Sequence, residues 1–516
     1  TEMALRTSGF HSIFRRGSCF TVQGSRRILA AGKASRQPEA VVIGGGPSGL
    51  AISVALLRQG WENITILESS EDVSVFDPTK GYMYGMDARC QQALYSVQSE
   101  LLSAVSELSV PVDRSNISIN YVRPEGDVSP STMALGKNFS YNPVVLYIPR
   151  NSFLGILREK FRKMPDSVQL HCGVEDATVQ ITDAGVEVSA TIDGETRSFR
   201  PSLLVGADGI SSAVRKELER ADPGFAIRSV PSPSGGLLFK VLSIPQRFPL
   251  LRGDDPPLAE PSRTYVYPAS KESKSDMHLG LLPLSDKIDS PRTANIIRLP
   301  DHKVWTLKTG EEVLDYLEEC FPQLPVRKVF PPEEAERFAR ARPGRFLSPQ
   351  HAGKLHKVIE TPEGTAGVVL IGDACHAFPP DLGQGLTAAL EDVAVLESHL
   401  SANPGDLKAA LDSYGEERMK DVRALIRIMQ IGYPWQYNQS KTFRKTLWGI
   451  NVALRIVLSR LAPAVFSPPV VSAVSNPSLR YSEVLAAANR TTAVLCGLAA
   501  ALLAALVGAA RLALGA

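Results

Sequence analysis

The segment Gly44-Gly-Gly46-Pro-Ser-Gly49 constrains the fold of this chain most, because its glycines follow an apolar run at once and open an amphipathic one. Ala40 to Ile43 read as a strand, and Leu50 to Gln59 as a helix with Ile52, Ala55 and Leu56 on one face. A second strand, Ile64 to Leu67, ends at Glu68. This spacing predicts a βαβ unit in which a pyrophosphate rests on the helix N-terminus and an acid about 20 residues further on binds a ribose. Gly44, Gly46, Gly49 and Glu68 are the candidate binding residues.

A second segment, residues 368–385, joins a strand to a glycine-rich turn through one acid. Val368 to Ile371 are apolar enough for burial on both faces, Gly372 permits a tight turn, and Asp373 is placed to accept hydrogen bonds from a ribityl hydroxyl. Gly383 and Gly385 lack Cβ atoms, so N–H groups at the start of the next helix, Leu386 to Leu400, can approach a ring that gathers negative charge when reduced. That combination reads as a flavin clamp. His376 is expected to hydrogen-bond and position rather than act as a base, and Cys375 to behave as a small buried hydrophobe. A third strand, Leu203 to Gly206, again runs into an acid and a glycine, Asp208 and Gly209. Asp208 and Gly209 join the candidate cofactor-binding residues, with capping of the following helix as the alternative reading of Asp208.

Together these segments resemble the flavoprotein aromatic hydroxylases, single-component monooxygenases that use FAD, over roughly residues 39 to 400. The resemblance implies that Gly206, Asp208 and Gly209 touch both FAD and a transiently bound NADPH, and that Arg150 opens a helix beside the flavin. It further implies that O₂ adds to the flavin C4a position and that the resulting hydroperoxide hydroxylates an aromatic or conjugated apolar substrate. No side chain is assigned as catalytic, and no metal is expected. The same scaffold serves isoprenoid or carotenoid epoxidases and quinone-ring hydroxylases, which are the alternatives. A membrane-tethered flavoprotein that does not oxygenate is a reading of another class, since a cofactor fold does not establish turnover.

Gly372-Asp-Ala-Cys-His-Ala377 with Gly383-Gln-Gly385, and Arg480-Tyr-Ser-Glu-Val-Leu485 ahead of a hydrophobic tail, resemble the kynurenine 3-monooxygenases. In that family an Arg and an Asn hold the substrate carboxylate, and here Lys80 and Thr387 stand at the matching places. A lysine offers one compact charge where arginine offers a planar fork, which argues for a substrate other than kynurenine. Tyr82, Tyr84 and Phe378 are candidates to stack on a flat ring or line a path for a lipophilic one, with ordinary core packing as the alternative.

A chain of 516 residues with 44% hydrophobic and 21% charged content is globular and too long for one ordinary core. The expected fold class is α/β: a Rossmann-like FAD-binding domain interleaved with an antiparallel-sheet substrate domain, plus C-terminal helices. The FAD-binding domain is assigned to 39–79, 144–216 and 351–405, and the substrate domain to 80–143 and 217–350. Period-two runs at Val186 to Ile192 and Thr264 to Tyr267 indicate antiparallel strands with one covered face. Six cysteines without paired spacing argue against a disulfide framework or a zinc site.

The two ends differ from the middle. Residues 1–38, with seven basic side chains against one acid over the first 37, read as an organellar transit peptide or a disordered basic arm. After a helical region at 406–490, residues 491–510 are uncharged and rich in Ala and Leu, a candidate transmembrane tail anchor with a buried helix as the alternative. Leu425 to Leu461 mixes Trp435, Tyr437, Arg444, Lys445 and Trp448 with apolar residues, as a helix at a membrane surface would. The expected location is an organelle membrane, mitochondrial or chloroplast; a nucleic-acid partner is not implied.

Overall fold

The computed structural model describes residues 39–513 apart from 73, 78–80, 134–140, 166, 276, 363 and 438–441. The expected leader at 1–38 and Lys80 lie outside the described residues.

Short apolar runs build the main sheet from β1 (Glu39–Ile43), β2 (Asn63–Leu67), β3 (Val168–His171), β4 (Leu203–Gly206), β5 (His356–Thr361) and β6 (Gly364–Leu370). The strand order is β5-β6-β4-β1-β2-β3; β5 pairs antiparallel with β6 and the other pairs are parallel. Ala40, Val41, Val42, Leu203, Leu204, Val205, Val368 and Val369 have no measurable exposure, as parallel strands covered on both faces require. Between β1 and β2 runs α1 (Pro47–Arg58), with Pro47 in its first turn. Its approach to the strand end is so close that a Cβ at Gly49 would stand 1.8 Å from the Gly44 carbonyl oxygen.

Further helices complete this half: α2 (Ala88–Val97), α3 (Arg150–Phe161), α4 (Ala213–Ala221), α5 (Gly385–Ala402) and α6 (Leu407–Ile431). Helix α5 packs against α1, α2 and α6, which makes it the hinge of the first core. Met86, Cys90, Leu94, Leu101 and Val105 join that core. Among the described residues of the segment 80–143, only Ile117–Val122 and Val128–Met133 enter the second large sheet.

That second sheet has seven strands, running Gly344–Arg345, Leu238–Ile244, Arg292–Arg298, His278–Leu281, Thr264–Pro268, Ile117–Val122 and Val128–Met133. Its pairs are antiparallel except Thr264–Pro268 with Ile117–Val122, which is parallel, as the long connection between those two strands allows. A separate core covers it, including Leu242, Tyr267, Ile296, Phe321 and Phe338. The alternation at Val186 to Ile192 belongs elsewhere. Gly185–Ile192 is the middle strand of a three-stranded antiparallel sheet, and its inward residues Val186, Val188, Ala190 and Ile192 pack on the first core.

The C-terminal helices split the expected surface segment in two. Leu425, Ile426, Ile428 and Met429 are the buried end of α6, whereas α7 (Thr442–Leu461) exposes Phe443, Leu447, Ile450, Leu454, Val457 and Leu461 at steps of four and three residues. That spacing places all six on one face. The last helix, α8 (Tyr481–Ala513), is rooted in protein through Tyr481, Val484 and Ala488. Over Tyr481–Ala510 it is long and apolar enough to cross a membrane, and none of its most apolar window is buried.

Gly49→Ala is expected to destabilise the protein by about 3 kcal/mol, because the added methyl meets backbone rather than a flexible side chain. Urea denaturation of the cofactor-free protein measures it.

Candidate functional site

Three turns leave the C-terminal ends of three adjacent strands. The Gly44 turn follows β1, the Asp208 turn follows β4, and the Asp373 turn follows β6. Backbone hydrogen bonds tie them: Ala207 N–H to Ile43 O at 2.8 Å, Ile371 N–H to Gly206 O at 3.0 Å and Gly44 N–H to Leu67 O at 2.8 Å. Gly372 adopts φ +59, and a Cβ there would lie 2.3 Å from Ser48 Oγ, so the Asp373 turn sits directly against the first turn of α1. The crevice outside the strand ends of an open parallel sheet is where such folds bind ligands.

Each acid has a distinct setting. Glu68, at the end of β2, accepts the Gly45 N–H at 2.6 Å and the Ser70 N–H at 2.7 Å, which points its carboxylate along the glycine turn. Asp208 does cap α4: its Oδ2 accepts the N–H groups of Ala213 at 2.6 Å and Val214 at 3.2 Å. Its Oδ1 is buried and has no hydrogen-bond partner among the described residues. Asp373 is open to solvent on one side and enclosed by protein on the others. That enclosure raises its pKa, with His376 opposing the shift and Asp392 adding to it.

Around these acids the protein leaves room. A Cβ added at Gly46, Gly209, Gly383 or Gly385 would meet no protein atom within 4 Å. Neither α1 nor α5 has a side-chain N-cap, so their first N–H groups remain available to an anionic ligand. Two uncapped helix ends, an orphaned carboxylate oxygen and four unfilled glycine positions fit FAD, whose pyrophosphate, ribityl chain and ring need such groups in turn.

Near the Asp373 turn, Arg150 opens α3, and its N–H donates to the Tyr82 carbonyl at 3.1 Å. Tyr82 meets Tyr84 edge-on at 5.6 Å, and Tyr84 meets Phe153 at 5.9 Å. The Tyr84 hydroxyl is pushed up in pKa, chiefly by burial and then by Tyr82, with Arg150 opposing and Asp373 adding; these four side chains share one neighbourhood. Phe378 lies 5.0 Å from the His376 ring. Thr387 is 1% exposed, beside Cys90 where α5 packs on α2.

The charge that holds the Asp373 turn in place was not anticipated. Asp392, fully buried on α5, accepts the Gly372 N–H at 2.8 Å and contacts His376 Nε2 at 2.7 Å, and its other oxygen meets Arg418 of α6 at 2.8 Å. Burial alone would raise its pKa, but His376 and Arg418 together hold it below the ordinary carboxylate value. Cys375, His376 and Asp392 have the composition of a metal-ligand set. Both carboxylate oxygens are already committed to hydrogen bonds and a guanidinium, so the cluster serves as a brace. Its signal lies in the sequence: Gly385, Ala388, Ala389 and Asp392 occupy one helical face, and an acid on an apolar face requires a partner. Arg215 is a second brace, 6% exposed, donating to Ala374 O at 2.8 Å and Ile210 O at 3.0 Å and so linking the Asp208 and Asp373 turns.

Comparison with known proteins agrees with this geometry. The FAD binding domain family matches residues 37–252 and 350–428. Kynurenine 3-monooxygenase of Salinispora tropica is 26% identical over 468 residues, covering 89% of this chain and 93% of that protein. The Anopheles gambiae kynurenine 3-monooxygenase is 22% identical, covering 89% and 86%. Among solved structures, p-nitrophenol 4-monooxygenase from Pseudomonas putida shares the fold with a TM-score of 0.56 at 18% identity, over 80% of this chain and 92% of that one. Tetracycline destructase Tet(51) does so with a TM-score of 0.52 at 17% identity, over 80% and 96%. Fold and site define a flavin-dependent aromatic monooxygenase. The chain belongs to the FAD binding domain family, with FAD as its cofactor.

Two substitutions separate holding the flavin from holding the turn. Asp373→Ala is expected to weaken FAD by about 1–3 kcal/mol, roughly 5- to 150-fold in dissociation constant, with the stability of the cofactor-free protein nearly unchanged. Asp392→Asn removes the nearest of Arg418's acidic partners, leaving Glu391 at 3.4 Å and Asp421 at 3.8 Å, and is expected to cost about 3 kcal/mol of stability as well as flavin. Flavin fluorescence titration and denaturant unfolding of both variants check the contrast.

Proposed function

We propose that the protein inserts one oxygen atom from O₂ into an aromatic or conjugated apolar substrate, at an FAD site mounted on a membrane. The convergence of the Gly44, Asp208 and Asp373 turns on one sheet edge carries this reading. FAD, when bound, accepts electrons from NADPH and uses them to activate O₂, so that one oxygen goes to substrate and the other to water.

The chain's own residues bind, orient and exclude water. Gly44, Gly46 and Gly49 with the first N–H groups of α1 receive the pyrophosphate, and Glu68 accepts the adenosine ribose. Asp373 accepts from the ribityl chain, while Asp208, Gly209 and Arg150 flank the flavin. N–H groups at Gly385 and the start of α5 would stabilise the negative charge that the ring gathers on reduction, and Gly383, whose own N–H donates to Pro380 O at 3.1 Å, would leave room for it. Tyr82, Tyr84 and Phe378 offer aromatic surface to the substrate, and Lys80 belongs to the same segment as Tyr82 and Tyr84. The FAD-binding part is drawn from 39–79, 144–216 and 351–405, and the seven-stranded sheet supplies the substrate lobe.

The membrane reading rests on α8 and α7 together. The outer part of α8 exposes Leu498, Leu502, Leu503, Leu506 and Val507, and α7 exposes its six-residue apolar stripe. Arg455 of α7 joins the two, donating to Ala488 O at 3.3 Å and Thr492 Oγ1 at 2.7 Å. In this reading α8 enters the bilayer while α7 lies along its surface, with Arg444, Lys445 and Arg460 at headgroup level. The same apolar surface favours a second reading, ring epoxidation or quinone-ring hydroxylation of a membrane isoprenoid, because such a substrate would reach the site from the lipid.

FAD-loaded protein is expected to oxidise NADPH and consume O₂ only when a ring substrate is present, across a panel of aromatic amino acids, phenols, quinone precursors and carotenoid-like lipids. Indifference of flavin reduction to every member would overturn the monooxygenase reading. Truncation after Ala493, which keeps the Thr491 and Thr492 bonds, is expected to shift the protein from the membrane pellet towards the supernatant and to preserve FAD content. Unchanged sedimentation would move the anchoring to α7.

A further inference from the structure

Just ahead of Gly383, the turn Pro380–Leu382 carries a carboxylate that none of the flavin-facing roles employs. Asp381 is 4% exposed. One of its oxygens, Oδ2, accepts the hydroxyl of the buried Ser234, and the other, Oδ1, is buried without a hydrogen-bond partner among the described residues. Burial raises its pKa to about 6, against the Ser234 hydrogen bond. A buried acid oxygen without a donor is costly, and its retention beside a cofactor site points to a ligand that completes it.

The surroundings define that ligand. Tyr437 stands close enough to Asp381 for its hydroxyl pKa to be raised, first by burial and then by this acid, Tyr147 and Tyr433. Its ring meets Phe346 edge-on at 5.6 Å, and Phe346 lies 5.3 Å from Phe239 on the seven-stranded sheet. Aromatic walls with an acceptor at one end suit a flat ring bearing a hydrogen-bond donor, and a carboxylate there repels an anionic substituent. The turn leads within two residues to Gly383 and then to the N-terminus of α5, so such a ring would lie beside the flavin.

We propose that Asp381 is a substrate-recognition acid, accepting a hydrogen bond from the hydroxyl or amino group of an aromatic ring held against Phe346 and Tyr437. The assignment rests on the monooxygenase reading and narrows it to phenol- or aniline-type substrates. Donation from such a group to a carboxylate also enriches the ring in electrons, which is what oxygen insertion needs.

The test uses the full-length FAD-loaded protein and two probes of similar size, 2-aminophenol and benzoate, each titrated against the flavin absorption spectrum. Wild type is expected to bind 2-aminophenol about tenfold or more tightly than benzoate. Asp381→Asn is expected to retain FAD, to weaken 2-aminophenol by about tenfold and to bind benzoate no worse, a crossing of preferences that misfolding does not produce. Equal binding of 2-aminophenol by wild type and variant, no spectral response of wild type to it, or tighter benzoate binding by wild type would each overturn the proposal. Loss of FAD from Asp381→Asn would also overturn it, by placing the acid on the cofactor. The monooxygenase reading fails separately: there, no ring compound stimulates NADPH oxidation even where the probes bind.

Discussion

Parallel pairing of β6, β4 and β1 is the constraint on which the site depends. Parallel neighbours end at the same side of a sheet, so the turns that follow them emerge side by side although their residues are more than 150 positions apart in the chain. The register is firm because the strands are buried on both faces; slippage would expose Val41, Val205 or Val369 or strand backbone hydrogen bonds. Close backbone approach then locks the turns, with Gly49 against Gly44 and Gly372 against Ser48. Space for a cofactor arises as the complement of that packing, at the glycines whose missing side chains face no protein atom.

A second layer of order is electrostatic. Asp392 holds the Gly372 turn by a backbone hydrogen bond while Arg418 offsets its charge and His376 contacts the same oxygen, so α5 and α6 together brace the Asp373 turn. The C-terminal helix is wired into the same region. Tyr481, at the root of α8, donates to Gln384 Oε1 at 2.8 Å; Gln384 Nε2 donates to Asp87 Oδ2 at 2.8 Å; and the Arg89 guanidinium lies 4.2 Å from the Tyr481 ring centre. Gln384 sits between the two glycines of the clamp. The element that carries the apolar tail is thus one hydrogen-bonded side chain away from the residues assigned to the flavin ring.

Much of the fold was legible because its signals are local. The strand-glycine-helix order around Gly44, the run ending at Asp373 and the uncharged tail are each contained within a few turns of chain, where period and backbone chemistry suffice. Thr387 shows the limit: its place just after the glycine turn was legible, but its burial beside Cys90 was not, because which face of α5 meets α2 is set by packing. The stretch from Leu425 to Leu461 fails for a related reason, since its apolar residues divide between burial at the end of α6 and exposure on α7. Asp381 was passed over because nothing in Pro-Pro-Asp-Leu distinguishes a turn acid from a ligand acid until its surroundings are known.

By itself the sequence determined the βαβ unit, the flavin-type acid-and-glycine turns, the α/β class and the apolar tail, since each follows from hydrophobic period and from what glycine, proline and acids do to the adjacent backbone. Only the tertiary structure decided which carboxylates are spent and which are free. Asp208 caps a helix with one oxygen and keeps the other buried and unpaired among the described residues, Asp392 is wholly consumed, and Asp381 likewise keeps one oxygen unpaired among them. That difference depends on partners brought together from distant segments and on the dielectric they create, neither of which local spacing encodes.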